Sequence, residues 1–370
     1  MTKISFTVLL LIVFTACNNE IKHYEWKDIN IQTKNLFDIG SDPENITFAF
    51  PNQVAVDDSG KIYVADISKS EINVFGHEGS YLYNIGRRGE GPGEFRNISG
   101  IGINPENNLV VFDGSNTTAN IFTPNGDVVQ TSLIPSTSPE INLDYLNGFP
   151  ILQYLDDSNN SGDYLVHTYS KDFSQIISQS ISIDDISFTT NENLNPFFLV
   201  GIGSTLIKDQ SLYVSPVIYN GKIFKYRYVG EDETFVFEKT ITGKSVIEPV
   251  TFLSNESSVP NPDMRISSRE YSRRPILLHN RSIGLFELNN GDIVHFTIIE
   301  DANRKKRIFG AEIYDQNFQA IGYGSIYKKE LSEKGSNLIS WKITAKDKND
   351  RFYIINREAE PVINVVSFSY

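Results

Sequence analysis

The chain has 370 residues, 40 % hydrophobic and 12 % aromatic, with a formal net charge of −13. So acidic a chain argues against nucleic-acid binding, which needs a basic face. Its 18 tyrosines and 24 phenylalanines suit strands, and its one cysteine, Cys17, rules out an intrachain disulfide.

The chain starts MTKISFTVLLLIVFTACNNE. Lys3 supplies a positive flank, and Ile4 to Phe14 is an apolar run broken only by Ser5 and Thr7. At about 11 residues it is too short to span a bilayer, which takes ~20. It reads as a secretory signal over residues 1–17. Phe14-Thr15-Ala16-Cys17 resembles a bacterial lipobox, with Phe14 where leucine is usual. Lipid attachment at Cys17 is therefore expected. Anchoring by more than one acyl chain is stable, and a short tether would hold the globular part close to the membrane.

Residues 22–40 carry one strand and no further unit. From Phe50 the chain repeats. Val54 and Val56 alternate with polar or small residues, Asp57-Asp58-Ser59-Gly60 turns, and Ile62 to Ala65, Ile72 to Phe75 and Tyr81 to Ile85 follow as strands. Four short antiparallel strands in under 40 residues make one propeller blade. Residues 98–134 repeat the unit: Pro105 to Asn108 stand where Asp57 to Gly60 stood, and Leu109 to Asp113 match Ile62 to Asp66. Looser units follow at 149–181 (three strands), 204–241 (four), 282–324 (four) and 341–370 (three). The last unit lacks its fourth strand. Residues near Trp26 to Leu36 are expected to supply it. The expected fold is all-β, a single six-bladed β-propeller over residues 18–370, closed by an N-terminal strand that completes the last blade.

PNQVAVDDSGKIYVAD together with GRRGEGPGEF and SGIGI resembles the NHL-type repeat. Joined to a lipobox, the pattern is similar to the six-bladed β-propeller lipoproteins of Bacteroidota. That likeness implies that Asp66 and Asp113, which end the second strand of two blades, bond backbone within the blade.

The loop IGRRGEGPGEFRNISGIGI, residues 85–103, tests whether a glycine-rich stretch binds phosphate. Glu94 stands where a third glycine would be needed, and a strand follows where a helix would be needed. The loop is read as a blade-to-blade connector, with Phe95 between blades and Arg87 and Arg88 solvated or paired with Glu90 and Glu94. A ligand role for Arg87 and Arg88 is the secondary reading. His23, His77, His167, His279 and His295 share no metal-ligand spacing and are read as surface or turn residues. No cofactor or metal is expected.

The longest segment outside the repeat is 243–278, which carries Arg269, Tyr271, Arg273 and Arg274. Loops of that length are uncommon and often functional. It reads as a lid over the ring or as an insertion packed on a neighbour, and its arginines are candidate binding residues. The function expected is a non-catalytic binding or scaffold lipoprotein of the bacterial envelope, most readily at the outer membrane. Its expected partners are the membrane, through Cys17, and an envelope protein or anionic carbohydrate. The alternative is a hydrolase or lyase acting at the central face of the ring. Carboxylates or histidines converging on the axis would favour the enzyme, and a mixed polar axis would favour binding.

Overall fold

The computed structural model describes residues 26–40, 46–136, 138–154, 164–182, 186, 203–244, 250–252, 264–266, 274–278, 280–300, 306–330 and 341–370. Strand β1 (Gln32–Ile39) comes first in the chain and joins the last blade. Blade 1 is β2 (Pro51–Val56), β3 (Ile62–Asp66), β4 (Glu71–Phe75) and β5 (Tyr81–Ile85). Blade 2 is β6 (Ile98–Ile103), β7 (Leu109–Asp113), β8 (Thr118–Phe122) and β9 (Val128–Leu133). Blade 3 is β10 (Asn142–Leu146), β11 (Phe149–Gln153), β12 (Tyr164–Tyr169) and β13 (Ile176–Ser182). Blade 4 is β14 (Ser204–Lys208), β15 (Ser211–Ser215), β16 (Lys222–Val229) and β17 (Thr234–Thr242).

Between blades 4 and 5 in the chain, β18 (Val250–Phe252), β19 (Met264–Ile266) and β20 (Arg274–Leu278) form a separate three-stranded sheet in the order β18-β20-β19. Blade 5 is β21 (Asn280–Glu287), β22 (Ile293–Glu300), β23 (Lys306–Tyr314) and β24 (Ala320–Glu330). Blade 6 is β25 (Trp341–Lys346), β26 (Arg351–Asn356) and β27 (Val362–Ser369), completed by β1. Each blade is antiparallel, and the six inner strands β2, β6, β10, β14, β21 and β25 stand side by side around the axis in that order. The architecture is a six-bladed β-propeller.

Turn chemistry sets the blade hairpins. Asp57 Oδ1 accepts the backbone N–H groups of Ser59 and Lys61, both at 2.9 Å, and the Tyr63 hydroxyl donates to Oδ2. Asp347, Asn349, Arg351 and Tyr353 repeat the device in blade 6. A carboxylate that accepts from the turn's own backbone fixes the turn without a partner strand. The second strands β3 and β7 are buried throughout, while the outer strands β5 and β9 are largely exposed. Apolar surface therefore lies between blades. Phe95 is fully buried and meets Phe122 edge-to-face at 5.9 Å, in a cluster with Tyr63 and Ile85 of blade 1. Gly86, at φ +80°, makes room for it: a β-carbon there would lie 2.2 Å from the Phe95 ring.

Ring closure differs from the expected boundaries. The outer strand of blade 6 is Gln32–Ile39, not Trp26–Leu36. Residues ahead of it lie on blade 5. Ile29 N–H donates to the Tyr323 carbonyl at 3.0 Å, Tyr323 N–H donates to the Lys27 carbonyl at 2.8 Å, and Trp26 meets Tyr314 edge-on at 5.3 Å. The physical reason is in β24. Gly324 has no side chain, and a β-carbon there would lie 2.5 Å from Ile31. The glycine lets the incoming chain lie directly on the strand. Further on, Phe37 reaches Gly79 in blade 1, and Ile39 joins the core between blades 6 and 1. One N-terminal segment thus crosses three blades. The third unit also differs from expectation, since β10 gives it four strands.

Candidate functional site

The inner strands enclose a central cavity of about 370 Å³, a volume suited to a small ligand. Its charged lining is Glu140, Asp144, Arg281, Lys342 and Arg357. Glu140 lies two residues ahead of β10, Arg281 and Lys342 are the second residues of β21 and β25, and Arg357 follows the end of β26. The cavity therefore opens at the face where the inner strands begin. Among the described residues, the loop carrying Arg87 and Arg88 leads from β5 into the start of β6.

Side chains tie the blades together around the axis. The Gln53 Oε1 atom of β2 accepts the Ile101 N–H of blade 2 at 2.6 Å, while its Nε2 donates to the Ile141 carbonyl beside blade 3 at 3.0 Å. Thr344 of blade 6 accepts the Val54 N–H at 2.8 Å. Thr205 of blade 4 and Gln153 of blade 3 both donate to Asp144 Oδ2, at 3.3 and 3.0 Å. Lys342 and Glu140 form an ion pair between blades 6 and 3, which stand opposite one another in the ring. That pair crosses the cavity. The Arg357 guanidinium lies 4.3 Å from the Phe50 ring centre, and Phe50 is 39 % exposed.

The two carboxylates sit in opposed environments. Burial pushes the Glu140 pKa up, but Lys342, Arg281 and Arg357 outweigh it and hold it below the ordinary value. Burial pushes Asp144 up, and the hydrogen bonds from Gln153 and Thr205 only partly offset it. Ionised Glu140 therefore adds stability above the usual glutamate range, and loses that contribution as pH falls. Asp144 has the opposite sign, its contribution being present in acid and lost as pH rises. Glu140→Gln is expected to be less stable than wild type near neutrality, with the gap closing below about pH 4. Asp144→Asn is expected to gain on wild type as pH rises from about 4 to 7. Urea titrations across that range test both, and curves parallel to wild type for either variant would contradict the assignment.

Beside the cavity lies a fully buried polar network. Glu312 of β23 accepts the hydroxyls of Tyr219 and Tyr314, each at 2.7 Å, and the Lys244 N–H at 2.7 Å. His295 of β22 places Nδ1 2.9 Å from Glu312 Oε2, and a carboxylate only accepts, so Nδ1 carries the hydrogen. Its Nε2 faces the hydroxyls of Ser215 at 3.0 Å and Ser282 at 2.9 Å, and Ser282 donates to Ser204 at 2.7 Å. The order Ser–His–Glu resembles an acyl-transfer relay. Here Ser282 is 3 % exposed and spends its hydrogen on Ser204. The network links β14 and β15 of blade 4 to β21, β22 and β23 of blade 5, and acts as a clamp between them.

The sequence candidates fare unevenly. Arg87 is exposed and paired with Glu94 at 2.7 Å, while Arg88 is exposed on the same loop. Glu90 pairs with Arg96. Arg274 opens β20 opposite Ile266. Cys17, His23, Arg269, Tyr271, Arg273 and His279 lie outside the described residues. Asp66 accepts the N–H groups of Ala49 and Phe50, and Asp113 those of Arg96 and Asn97, so both are structural. His77 is exposed in a turn, but the surface reading fails for His167 and His295, both fully buried on second strands or their neighbours. His167 stacks on Tyr154 at 4.0 Å. The charged residues of the cavity had no local motif to announce them. Among the described residues no three His, Cys, Asp or Glu side chains are placed to hold one metal ion.

Solved structures share the architecture. A protein from Bacteroides fragilis NCTC 9343 described as exported aligns with a TM-score of 0.54 and 12 % identity, over 94 % of this chain and 98 % of its own. A member of the DUF4221 family from Bacteroides vulgatus ATCC 8482 aligns with a TM-score of 0.50 and 10 % identity, over 93 % and 98 %. A luciferin-regenerating enzyme does so at 0.50 and 9 %, over 92 % and 96 %. At these identities the likeness is one of fold alone. No curated protein matches the chain. Residues 43–350 match the family described as 6-bladed beta-propeller, DUF5128, and with six four-stranded blades around one axis the chain belongs to that family.

Proposed function

We propose that this propeller is a non-catalytic binding or scaffold lipoprotein of the bacterial envelope, anchored through Cys17 and holding its ligand in the central cavity. The observation that carries the reading is the axis itself. It is lined by mixed polar groups, three cations and two carboxylates, most of them engaged in blade-to-blade bonds. Such a lining suits recognition. Envelope placement rests on the apolar leader and lipobox-like Phe14-Thr15-Ala16-Cys17, and agrees with a structural neighbour described as exported. The outer membrane is the proposed site. The proposed partner is an envelope protein or anionic carbohydrate, with Arg269, Tyr271, Arg273 and Arg274 as proposed binding residues.

A two-armed capture experiment tests this. Cys17→Ala is expected to move the protein out of the detergent phase. Asn52→Trp, which adds bulk to the cavity wall, is expected to leave it membrane-bound and abolish capture of the envelope partner. Unchanged phase partition in the first arm would sink the anchor. Undiminished capture in the second would sink the cavity.

The second reading is a hydrolase or lyase. It is favoured by two carboxylates in one cavity with pKa values displaced in opposite directions, a pattern that can divide acid and base roles. Turnover of a captured ligand, lost in Asp144→Asn, would establish it.

A further inference from the structure

Resting on the reading of the cavity as a binding site, we propose that it takes an uncharged sugar ring, held by side-chain amides, a hydroxyl and a carboxyl group from three blades and by the Phe50 ring. The cations of the cavity are already engaged. Lys342 is paired with Glu140, Arg357 lies against Phe50, and Arg281 is partnered. A charged ligand would have to break into these contacts, and a half-broken pair is costly. Where the partner is an anionic carbohydrate, the cavity takes one of its uncharged units.

The hydrogen-bonding atoms left over belong to Asn52 in blade 1, Asn142 and Asp144 in blade 3, and Ser204 in blade 4, all on the cavity wall. Asn142 accepts from Gln53 on Oδ1 at 3.2 Å, and its Nδ2 has no partner among the described residues. Asp144 accepts from Gln153 and Thr205 on Oδ2, which leaves Oδ1 open. Ser204 accepts from Ser282 at 2.7 Å and keeps its own hydrogen. Each is thus held by a protein bond and still has hydrogen-bonding capacity to offer, so its geometry is set before a ligand arrives. Asn52 is aimed by the backbone instead. The register of β2 on β3 passes from Pro51–Asp66 to Gln53–Ala65, so Asn52 is the extra residue of a bulge, a device that re-aims a side chain. Its amide bonds no other described residue.

Amides and hydroxyls both donate and accept, as does every hydroxyl of a sugar. A sugar ring also carries apolar C–H faces, and Phe50 supplies an aromatic wall for one of them. The Phe50 N–H donates to Asp66 at 3.0 Å and its carbonyl accepts from Ile67 at 3.1 Å, so the residue is pinned on both sides. The cavity's volume of about 370 Å³ falls within the range of small-ligand sites.

Binding of defined probes to the purified protein tests the proposal. The neutral probes are methyl glucoside, methyl galactoside, methyl mannoside and N-acetylglucosamine. Glucuronate and galacturonate are the matched acids, and cyclohexanol is a ring without the set of hydroxyls. At least one neutral sugar is expected to bind tighter than about 10 mM, and cyclohexanol about tenfold or more weakly than that sugar. Its affinity is expected to change less than about twofold between low and high salt, because no charge is bound. Asn52→Ala is expected to weaken it about fivefold and to leave the melting temperature within about 2 °C of wild type. Four results would each overturn the proposal. They are no binding of any neutral sugar, a uronate that binds more tightly than its neutral partner and is weakened by salt, cyclohexanol binding as well as the sugar, and Asn52→Ala binding at wild-type strength. A large fall in the melting temperature of Asn52→Ala would also count against it, since the amide would then be a structural partner. Failure here is distinct from failure of the binding role. Uronates that bind, and are lost in Asn52→Trp, remove the uncharged sugar but leave the cavity as the binding site.

Discussion

Replacing Glu312 with alanine is expected to cost about 3–5 kcal/mol of folding stability, because it removes one partner from a buried charged network. The Glu312 carboxylate takes hydrogen bonds from two tyrosines, a backbone amide and His295, all away from solvent. Its removal leaves four donors facing a void, and each orphaned donor costs about 1–3 kcal/mol on its own. Burial, the largest cause holding the Tyr219 and Tyr314 hydroxyls well above their ordinary pKa, persists without Glu312, so both stay protonated donors. Ser282→Ala, at the far end of the chain of bonds, is expected to cost only about 1 kcal/mol, the net value of one hydrogen bond. Chemical denaturation of both variants separates the cases. A loss below about 1 kcal/mol for Glu312→Ala would show that blades 4 and 5 are held by their apolar contacts alone.

Deleting residues 22–40 is expected to destabilise the whole ring and not merely fray one end. The deletion uncovers β27 as an unpaired edge, an invitation to aggregation. It also removes Ile31 and Ile39, both buried, whose transfer from water is worth about 3–6 kcal/mol together. Whole domains are stable by only about 5–15 kcal/mol. Because the same segment touches blades 5, 6 and 1, its loss opens the ring on both sides of the seam. Calorimetry of the truncated protein should show a lower, broader transition. An unchanged cooperative melt would mean that the ring closes without this strand.

Blades 1 and 2 were legible because their turns are chemical signatures: Asp57 to Gly60 and Pro105 to Asn108 punctuate apolar strands at a fixed spacing. Strand β10 was not legible. Its sequence, NLDYL, places Asp144 on the polar axis, so an inner strand loses the alternation by which strands are recognised. The course of Trp26 to Ile31 over blade 5 was hidden for another reason. It depends on Gly322 and Gly324, almost the whole chain away. The charged residues of the cavity were invisible for the same cause. Glu140 and Arg357 lie just outside strands, Arg281 and Lys342 within them, in no shared motif, and only closure of the ring brings them to one place. His295 misled because a single histidine in an apolar run carries no sign of the carboxylate that β23 sets beside it.

The pairing of β1 with β27 has a consequence in time. Synthesis runs from the N-terminus, so the strand made first has no partner until the strand made last is complete. Gln32 lies opposite Ser369 in the finished ladder. Contacts this distant in sequence make folding slow, since the entropy of closing the loop is spent before the contact returns anything. Blades 1 to 5 each contain their own four strands and can form as they emerge. Blade 6 cannot. For that interval β1 and β27 are both open edges, and such species are prone to aggregate. A helper that shields exposed strands should therefore raise the yield of this chain most when supplied before the final blade is complete, and little afterwards.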